Sequence, residues 1–220
     1  MGREKGSGYM KVLLVCGSPN QHGCTYTALE EVAAALREDG IQADHFWIGK
    51  KPLSGCLGCG GCYERKRCIL DDKVNEFTEL AKEYDGFVFG SPVHFSGPAG
   101  SMMSFLDRAF YSASRQDPHP FRFKPAAAVV SARRAGTTSA LDQMNKYLLY
   151  SQMPIATSRY WNMVHGNTPE QVKQDEEGVQ IMRTLGHNLA WLLKLKEAGE
   201  QAGVPLPKQP TPRVLTNFIR

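Results

Sequence analysis

The sequence predicts an α/β fold in which helices cover both faces of an open parallel sheet. Five short apolar segments alternate with segments whose apolar residues recur at helical spacing. Strands buried on both faces produce continuous apolar runs, and alternation with helices implies right-handed crossovers between parallel strands. The 220 residues show no internal repeat and no linker, so a single core is expected.

The first predicted unit is a strand, a loop and a helix. The strand is KVLLVC at residues 11–16, the loop is GSPNQHGCT, and the helix is expected to end near Gly40. Residues 41–48 are predicted to form a second strand. A second helix is expected to begin near Asp71 and Asp72, because acidic residues stabilise a helix N-terminus.

The strand, loop and helix pattern recurs twice more along the chain. FVFG at residues 87–90 precedes the loop SPVHFSGPAG, and AAAVV at residues 126–130 precedes SARRAGTTSA. A last strand is expected at residues 155–161. A long final helix is predicted from the spacing of Leu185 and Leu189. We therefore expect a flexible N-terminus at residues 1–9, a domain at residues 10–204 with a cysteine-rich insertion at residues 55–68, and an extended tail at residues 205–220.

Composition excludes several classes of function. With 42% hydrophobic and 22% charged residues, the chain has the composition of an ordinary soluble globular protein. Its net charge of +4 is small and dispersed, which argues against a nucleic-acid surface. It has no apolar run of about 20 residues that could span a membrane, and MGREKGSGYM lacks the apolar core of a secretory signal. We therefore expect a cytoplasmic protein with no membrane or nucleic-acid partner.

Four of the six cysteines lie close together, at Cys56, Cys59, Cys62 and Cys68. Their spacing is C-x2-C-x2-C-x5-C, and a reducing compartment argues against a disulfide framework for them. The sulfur atoms can converge only where the backbone wraps closely. The interleaved glycines that permit such wrapping are Gly55, Gly58, Gly60 and Gly61. An iron-sulfur cluster is favoured, and structural zinc or metal-free thiols stay open as alternatives.

The loop after the first strand is suited to a phosphate group. Backbone N–H groups and the positive end of the helix dipole attract an anion there, and Ser18, Asn20 and Thr25 can add side-chain donors. The dinucleotide pattern G-x-G-x-x-G and the nucleoside triphosphate pattern G-x-x-x-x-G-K-S/T are both absent. A mononucleotide is therefore predicted, and a simple helix-capping turn is the alternative.

The sequence resembles the NADPH-dependent FMN reductase-like branch of flavodoxin-like proteins, and within it the iron-sulfur flavoproteins. Four segments carry the resemblance: LLVCGSPNQHGCTYTAL, CLGCGGCYERKRC, DGFVFGSPVHFSGPAGSMMSFLDR and DEEGVQIMRTLGHNLAWLLK. It implies a flavodoxin-like three-layer sandwich whose five-stranded parallel sheet has the order 2-1-3-4-5. It also implies bound FMN, NAD(P)H as reductant, and a homodimer or homotetramer.

The resemblance assigns cofactor contacts to three loops and metal ligands to the cysteines. The phosphate loop implicates Ser18, Asn20, Gly23, Cys24 and Thr25. The loop along the isoalloxazine edge implicates Ser91, Pro92, Val93, His94, Phe95 and Gly97. The third loop implicates Ser131 and Gly136. The family pattern makes Cys56, Cys59, Cys62 and Cys68 the ligands of a 4Fe-4S cluster. Two of these residues depart from the family pattern. At the position of Cys24 the family more often has Asn or Ser, and at the position of His94 it more often has Tyr.

The implied function is that of an FMN-dependent NAD(P)H oxidoreductase or an electron-transfer flavoprotein. Electrons would pass between FMN and the iron-sulfur cluster, and on to a small-molecule or protein acceptor. No side chain is assigned a catalytic role, because the flavin does the chemistry. One alternative is a simple NADPH-dependent FMN or quinone reductase with no cluster. A zinc-stabilised, non-enzymatic interaction module is a second and weaker alternative.

Overall fold

A parallel sheet forms the centre of the chain, of which the computed structural model describes residues 9–212 and 214–218. The five parallel strands are β1 (Lys11–Cys16), β2 (Gln42–Trp47), β3 (Gly86–His94), β5 (Ala126–Ala132) and β6 (Met163–His165). Their order across the sheet is β2-β1-β3-β5-β6. A sixth strand, β4 (Gly97–Pro98), pairs antiparallel with the end of β3.

Helices cover both faces of this sheet. They are α1 (Cys24–Glu38), α2 (Cys62–Arg65), α3 (Lys73–Leu80), α4 (Gly100–Ala113), α5 (Thr137–Tyr150), α6 (Pro169–Gln174) and α7 (Glu176–Gln201). The predicted three-layer fold is confirmed. The order of the five parallel strands is the predicted 2-1-3-4-5 once the two-residue β4 is left out of the numbering. Strand β4 and the short helices α2 and α6 were not predicted.

The two faces of the sheet carry separate hydrophobic cores. Side chains alternate along β1, so Leu13 and Val15 join one core while Val12 and Leu14 join the other. The first core lies under α3, α4 and α5 and is rich in phenylalanine, with the Phe77 ring 5.1 Å from that of Phe105. The second core is mainly aliphatic and lies under α1, α6 and α7.

Helices α1 and α7 approach each other closely at Gly186. A Cβ atom at this position would stand 2.6 Å from the Ala35 Cβ and 2.6 Å from the Val32 carbonyl oxygen. Only glycine permits such an approach between two helix backbones. The final helix was predicted, and its fit against α1 fixes one side of the sandwich.

The last strand predicted at residues 155–161 is wrong. The strand lies at Met163–His165, and Ile155 makes only an isolated bridge to Ala126. Residues between them form a local turn in which the Ser158 hydroxyl accepts a hydrogen bond from Tyr160 N and donates to the Asn162 side chain. Tyr160 and Trp161, two of the apolar residues in this stretch, are more than half exposed, so the stretch is not a buried strand.

The described residues of the tail, 204–212 and 214–218, are all exposed and form neither helix nor strand. Of the predicted flexible N-terminus, residues 1–8 lie outside the described residues. Within the part of the chain that is described, no helix combines the length and the apolar character needed to cross a membrane.

Candidate cofactor and metal sites

Three loops meet at the carboxyl edge of the sheet. The first loop (residues 17–23) follows β1, the second loop (residues 95–99) follows β3, and the third loop (residues 133–136) follows β5. Because β1, β3 and β5 are consecutive neighbours in the sheet, the three loops are adjacent in space. In open α/β sheets ligands bind at this edge, where the strand order reverses.

The first loop is held by a ring of backbone and side-chain hydrogen bonds. Gly17 N donates to the Gly90 carbonyl of β3 at 2.8 Å. The Ser18 hydroxyl, almost fully buried, accepts from Asn20 N at 3.1 Å, and its carbonyl accepts from Trp47 Nε1 at 2.7 Å. These bonds hold the loop against β2 and β3.

The start of α1 offers donors to an anion. Gly23 is the N-cap residue and has no side chain with which to cap the helix. The first N–H groups of a helix have no partner within it, and the helix dipole places partial positive charge on them. The backbone at the start of α1 therefore fits a phosphate group.

Two predicted side chains of this loop are already engaged elsewhere. Thr25 is 1% exposed, and its hydroxyl lies 2.8 Å from the Ser131 hydroxyl on β5. The Cys24 sulfur lies 3.7 Å from the Gly166 carbonyl, and burial raises the pKa of its thiol. These two side chains brace neighbouring elements, whereas their backbone N–H groups belong to the first turn of α1.

The second loop contains a strained two-residue hairpin turn. Phe95 and Ser96 connect His94 to Gly97 and have φ angles of 50° and 60°. Two consecutive positive φ angles match the hairpin turn whose twist suits β-strands, but non-glycine residues there cost of order 1–3 kcal/mol each. The Phe95 side chain is fully exposed at the tip. Strain of this kind is characteristic of ligand-binding loops.

The second and third loops touch each other at Gly136. This residue has a φ of 92°, and a Cβ atom on it would lie 2.7 Å from the Ser96 Cα. Below the hairpin, the buried Ser91 hydroxyl accepts a hydrogen bond from Ala99 N at 3.0 Å. The residues of the third loop thus close against the hairpin, and glycine at position 136 permits it.

The predicted flavin contacts of the second loop lie mostly at the end of β3. Ser91, Pro92, Val93 and His94 end β3, and Gly97 begins β4. His94 and Asn20 are exposed. Sequence reasoning missed Trp47, which stands in register with Cys16 and holds the first loop from β2. An aromatic residue at the end of a predicted strand was the available signal.

The four predicted metal ligands share one cavity beside the second half of α4. Cys56 and Cys59 are exposed, Cys62 is buried at the start of α2, and Cys68 is half-buried. All six cysteines of the chain are free thiols. Burial raises the pKa of the Cys62 thiol. The donors facing this cavity have the chemistry that an iron-sulfur cluster requires.

The backbone of the cysteine segment (residues 55–68) is wrapped tightly, as predicted. Gly58 and Gly60 have φ angles of 62° and 72°, and a Cβ atom on Gly61 would lie 2.3 Å from the Ile69 side chain. Nevertheless, within residues 9–212 and 214–218 no three His, Cys, Asp or Glu side chains stand close enough to hold a metal ion. The sulfur atoms therefore line a common cavity without being gathered around one point.

Tyr111 lines the cysteine cavity and lies in contact with a neighbouring pair of side chains, Tyr63 and Arg115. The Arg115 guanidinium lies 3.9 Å from the centre of the Tyr63 ring and donates to its hydroxyl at 2.7 Å. The Tyr63 hydroxyl lies 3.2 Å from that of Tyr111. The neighbouring basic residues are used locally, since Lys66 Nζ donates to the Tyr63 carbonyl and Arg67 pairs with Asp71.

Comparison with known proteins places this architecture in a family. A family model described as NADPH-dependent FMN reductase matches residues 10–168. An iron-sulfur flavoprotein of Methanocaldococcus jannaschii is 31% identical over 195 residues, covering 84% of this chain and 98% of that protein. An iron-sulfur flavoprotein of Archaeoglobus fulgidus is 28% identical over 194 residues, covering 83% of this chain and 97% of the relative.

Solved structures agree with the fold. RosB with bound 8-demethyl-8-formylriboflavin-5'-phosphate has a TM-score of 0.66 at 13% identity, covering 96% of both chains. A flavodoxin from the domain Archaea has a TM-score of 0.55 at 14% identity, covering 84% of this chain and 99% of that one. At such identities these structures support the fold alone. From the family match and the archaeal relatives, the chain belongs to the flavodoxin-like NADPH-dependent FMN reductase family, in its iron-sulfur flavoprotein branch.

Proposed function

We propose that this chain is an FMN-dependent oxidoreductase that takes electrons from NAD(P)H or a low-potential carrier and passes them to a small-molecule or protein acceptor. The observation that carries the proposal is the meeting of three loops beside the uncapped start of α1, in a chain of the FMN reductase family. We further propose that Cys56, Cys59, Cys62 and Cys68 hold a 4Fe-4S cluster. The names of the relatives and the shared cavity support this second centre.

Each loop has a separate task in binding FMN. The backbone N–H groups at the start of α1 bind the phosphate, with Ser18 and Asn20 at the adjoining turn. The hairpin at Phe95 and Ser96 borders the isoalloxazine ring, and Gly136 lets the third loop close beside it. FMN supplies the hydride and electron-transfer chemistry when it is bound. Accordingly the chain needs to bind and orient the ring and to exclude water, with no side chain acting as a nucleophile.

The cysteine cavity would be the second redox site. Arg108 and Tyr111 line it from α4, whose first residue, Gly100, directly follows the hairpin loop. Tyr111 is eleven positions after Gly100, which corresponds to about 16 Å along a helix. One helix therefore connects the two proposed centres, and the cysteine cavity opens at the protein surface where a partner could exchange electrons.

The alternative is a simple NADPH-dependent FMN or quinone reductase with no cluster. It is favoured by one observation, that the four sulfur atoms are not gathered around a point in the described structure. The free thiols fit the reducing conditions of the cytoplasm, which we propose as the location. Both functions use the same FMN site, so they differ only in what the cysteine segment contains.

Removing the Ser18 and Thr25 hydroxyls together should weaken FMN binding. Ser18→Ala removes the hydroxyl that accepts from Asn20 N and whose own O–H would donate to the phosphate, and Thr25→Ala breaks the brace to Ser131. Because a hydrogen bond to a charged group contributes about 1.5–3 kcal/mol, the FMN dissociation constant should rise at least about tenfold. Fluorescence titration of the apoprotein measures it. Thr78→Ala is the matched control, because Thr78 is a buried threonine on α3, outside the three loops. Unchanged FMN affinity in the double variant would contradict the placement of the phosphate at the first loop.

Protein prepared without oxygen should contain about four irons and four acid-labile sulfides per chain. Cys59→Ala should lose the iron and keep FMN, because the flavin contacts come from the loops after β1, β3 and β5, whereas Cys59 belongs to the separate connection between β2 and α3. Cys16→Ala, which removes a buried cysteine outside that segment, should keep both. Metal analysis and flavin release measure these contents. Wild-type protein that contains zinc or no metal and still oxidises NAD(P)H would contradict the iron-sulfur proposal. The simple reductase would then be the function of the chain.

We expect the protein to be a homodimer or homotetramer. Tyr111, Tyr147 and Tyr150 line a depression between α4 and α5, and Tyr150 and Leu149 are each 65% exposed. Clustered exposed aromatic residues of this kind mark protein interfaces. In the tail, Phe218 is also exposed, whereas Ile219 lies outside the described residues. Sedimentation velocity should show a dimer or larger; an FMN-bound, active monomer would contradict the expectation.

A further inference from the structure

A buried arginine lines the cysteine cavity from α4. Arg108, on α4, is 2% exposed although it carries a full positive charge. A charge removed from water is tolerated only when it is paired and its hydrogen-bonding groups are satisfied. The partners of Arg108 therefore show what the residue holds in place.

All five N–H donors of Arg108 are used. Two of them make a forked pair with Asp72, Nη1 to Oδ2 at 2.7 Å and Nη2 to Oδ1 at 2.9 Å. Nη1 also donates to the Ser54 carbonyl at 3.3 Å and Nη2 to the Leu70 carbonyl at 3.1 Å. The fifth donor, Nε, points at the Cys68 sulfur at 3.3 Å. Since a guanidinium has five such donors, this set is complete.

These partners bracket the cysteine segment. Ser54 immediately precedes it, Cys68 ends it, and Leu70 and Asp72 lead from it into α3. Asp72 also caps α3, because its Oδ1 accepts from Val74 N at 3.1 Å. Arg108 therefore ties both ends of the segment to α4.

Cys68 is held more firmly than Cys56 and Cys59. Its backbone N–H donates to the buried Asn75 side chain at 3.1 Å, and its carbonyl accepts from the same side chain at 3.0 Å. Its sulfur is the acceptor for Arg108 Nε. By contrast Cys56 and Cys59 are exposed. One thiol of the four is thus oriented in advance.

We propose that Arg108, clamped by Asp72, is a positioning residue that presents the Cys68 sulfur to the metal centre and keeps a hydrogen bond on it. This inference rests on the proposed iron-sulfur function. Hydrogen bonds to the sulfur ligands are one of the factors that set cluster potential, because they stabilise the added negative charge of the reduced state. The Arg108 bond therefore holds the potential above that of the same cluster without it.

Arg108→Lys is the variant that tests this role. Lysine keeps the positive charge but cannot reproduce the five-donor fork. The measurement is a redox titration of anaerobic protein followed by electron paramagnetic resonance, with iron and FMN contents determined on the same samples. Arg115→Lys is the matched control. Arg115 also lies near the cavity, but its guanidinium contacts Tyr63 and not the Cys68 sulfur.

The expected result is that Arg108→Lys keeps FMN and has a cluster midpoint potential more negative than those of wild type and Arg115→Lys. Loss of iron from Arg108→Lys alone, with FMN retained, also supports the proposal. A complete cluster at the wild-type potential in Arg108→Lys overturns it while leaving the proposed function intact. If wild-type protein itself assembles no cluster, the iron-sulfur function and this inference both fail. Should Arg108→Lys not fold, as judged by lost FMN, Asp72→Asn carries the test through iron content: an Arg108 freed from its clamp should hold Cys68 less well, so iron should fall while FMN is kept, and a complete cluster overturns the proposal.

Discussion

Burial of a parallel sheet on both faces is the constraint from which the site geometry follows. Every strand of such a sheet must be followed by a crossover helix, so the loops after β1, β3 and β5 all leave from one edge. Helix α1 then packs on one face and α4 and α5 on the other, which opens a crevice between them. The bond from Gly17 to Gly90 ties the first loop to β3, and the contact between Thr25 and Ser131 ties the start of α1 to β5. The flavin site is therefore a product of the topology, refined by a few polar contacts.

The cysteine segment is held by different forces. It contributes few buried apolar side chains, since Leu57 is 61% exposed, and Ile69, directly after the segment, is 37% exposed. Its position depends on polar groups of α3 and α4 instead, namely Asn75 and Arg108 with its partner Asp72. Polar anchoring of this kind is directional, so it can fix one sulfur while leaving two thiols exposed. That combination would suit a segment whose other thiols take up their final positions when the proposed metal centre forms.

Much of the fold could be predicted because its signals are local. The apolar run at residues 11–16 and the Asp72 cap of α3 are features of neighbouring residues, and the structure has both where they were expected. The last strand was predicted at residues 155–161 but lies at Met163–His165. Whether apolar residues such as Tyr160 and Trp161 are buried depends on contacts distant in sequence, and these two are exposed. The same limit applies to the site. The bond between Thr25 and Ser131 spans 106 positions, and that between Arg108 and Cys68 spans 40, so neither is visible in a motif.

The presence of FMN is the central claim, and the absorbance spectrum of the purified protein tests it most directly. Protein purified without added flavin should be yellow, show the bands of bound flavin and release FMN in equimolar amount on heating. Reconstitution of stripped protein with FMN should restore the same spectrum, whereas riboflavin, which lacks the phosphate, should bind far more weakly. A colourless protein that does not discriminate FMN from riboflavin on reconstitution would contradict the account.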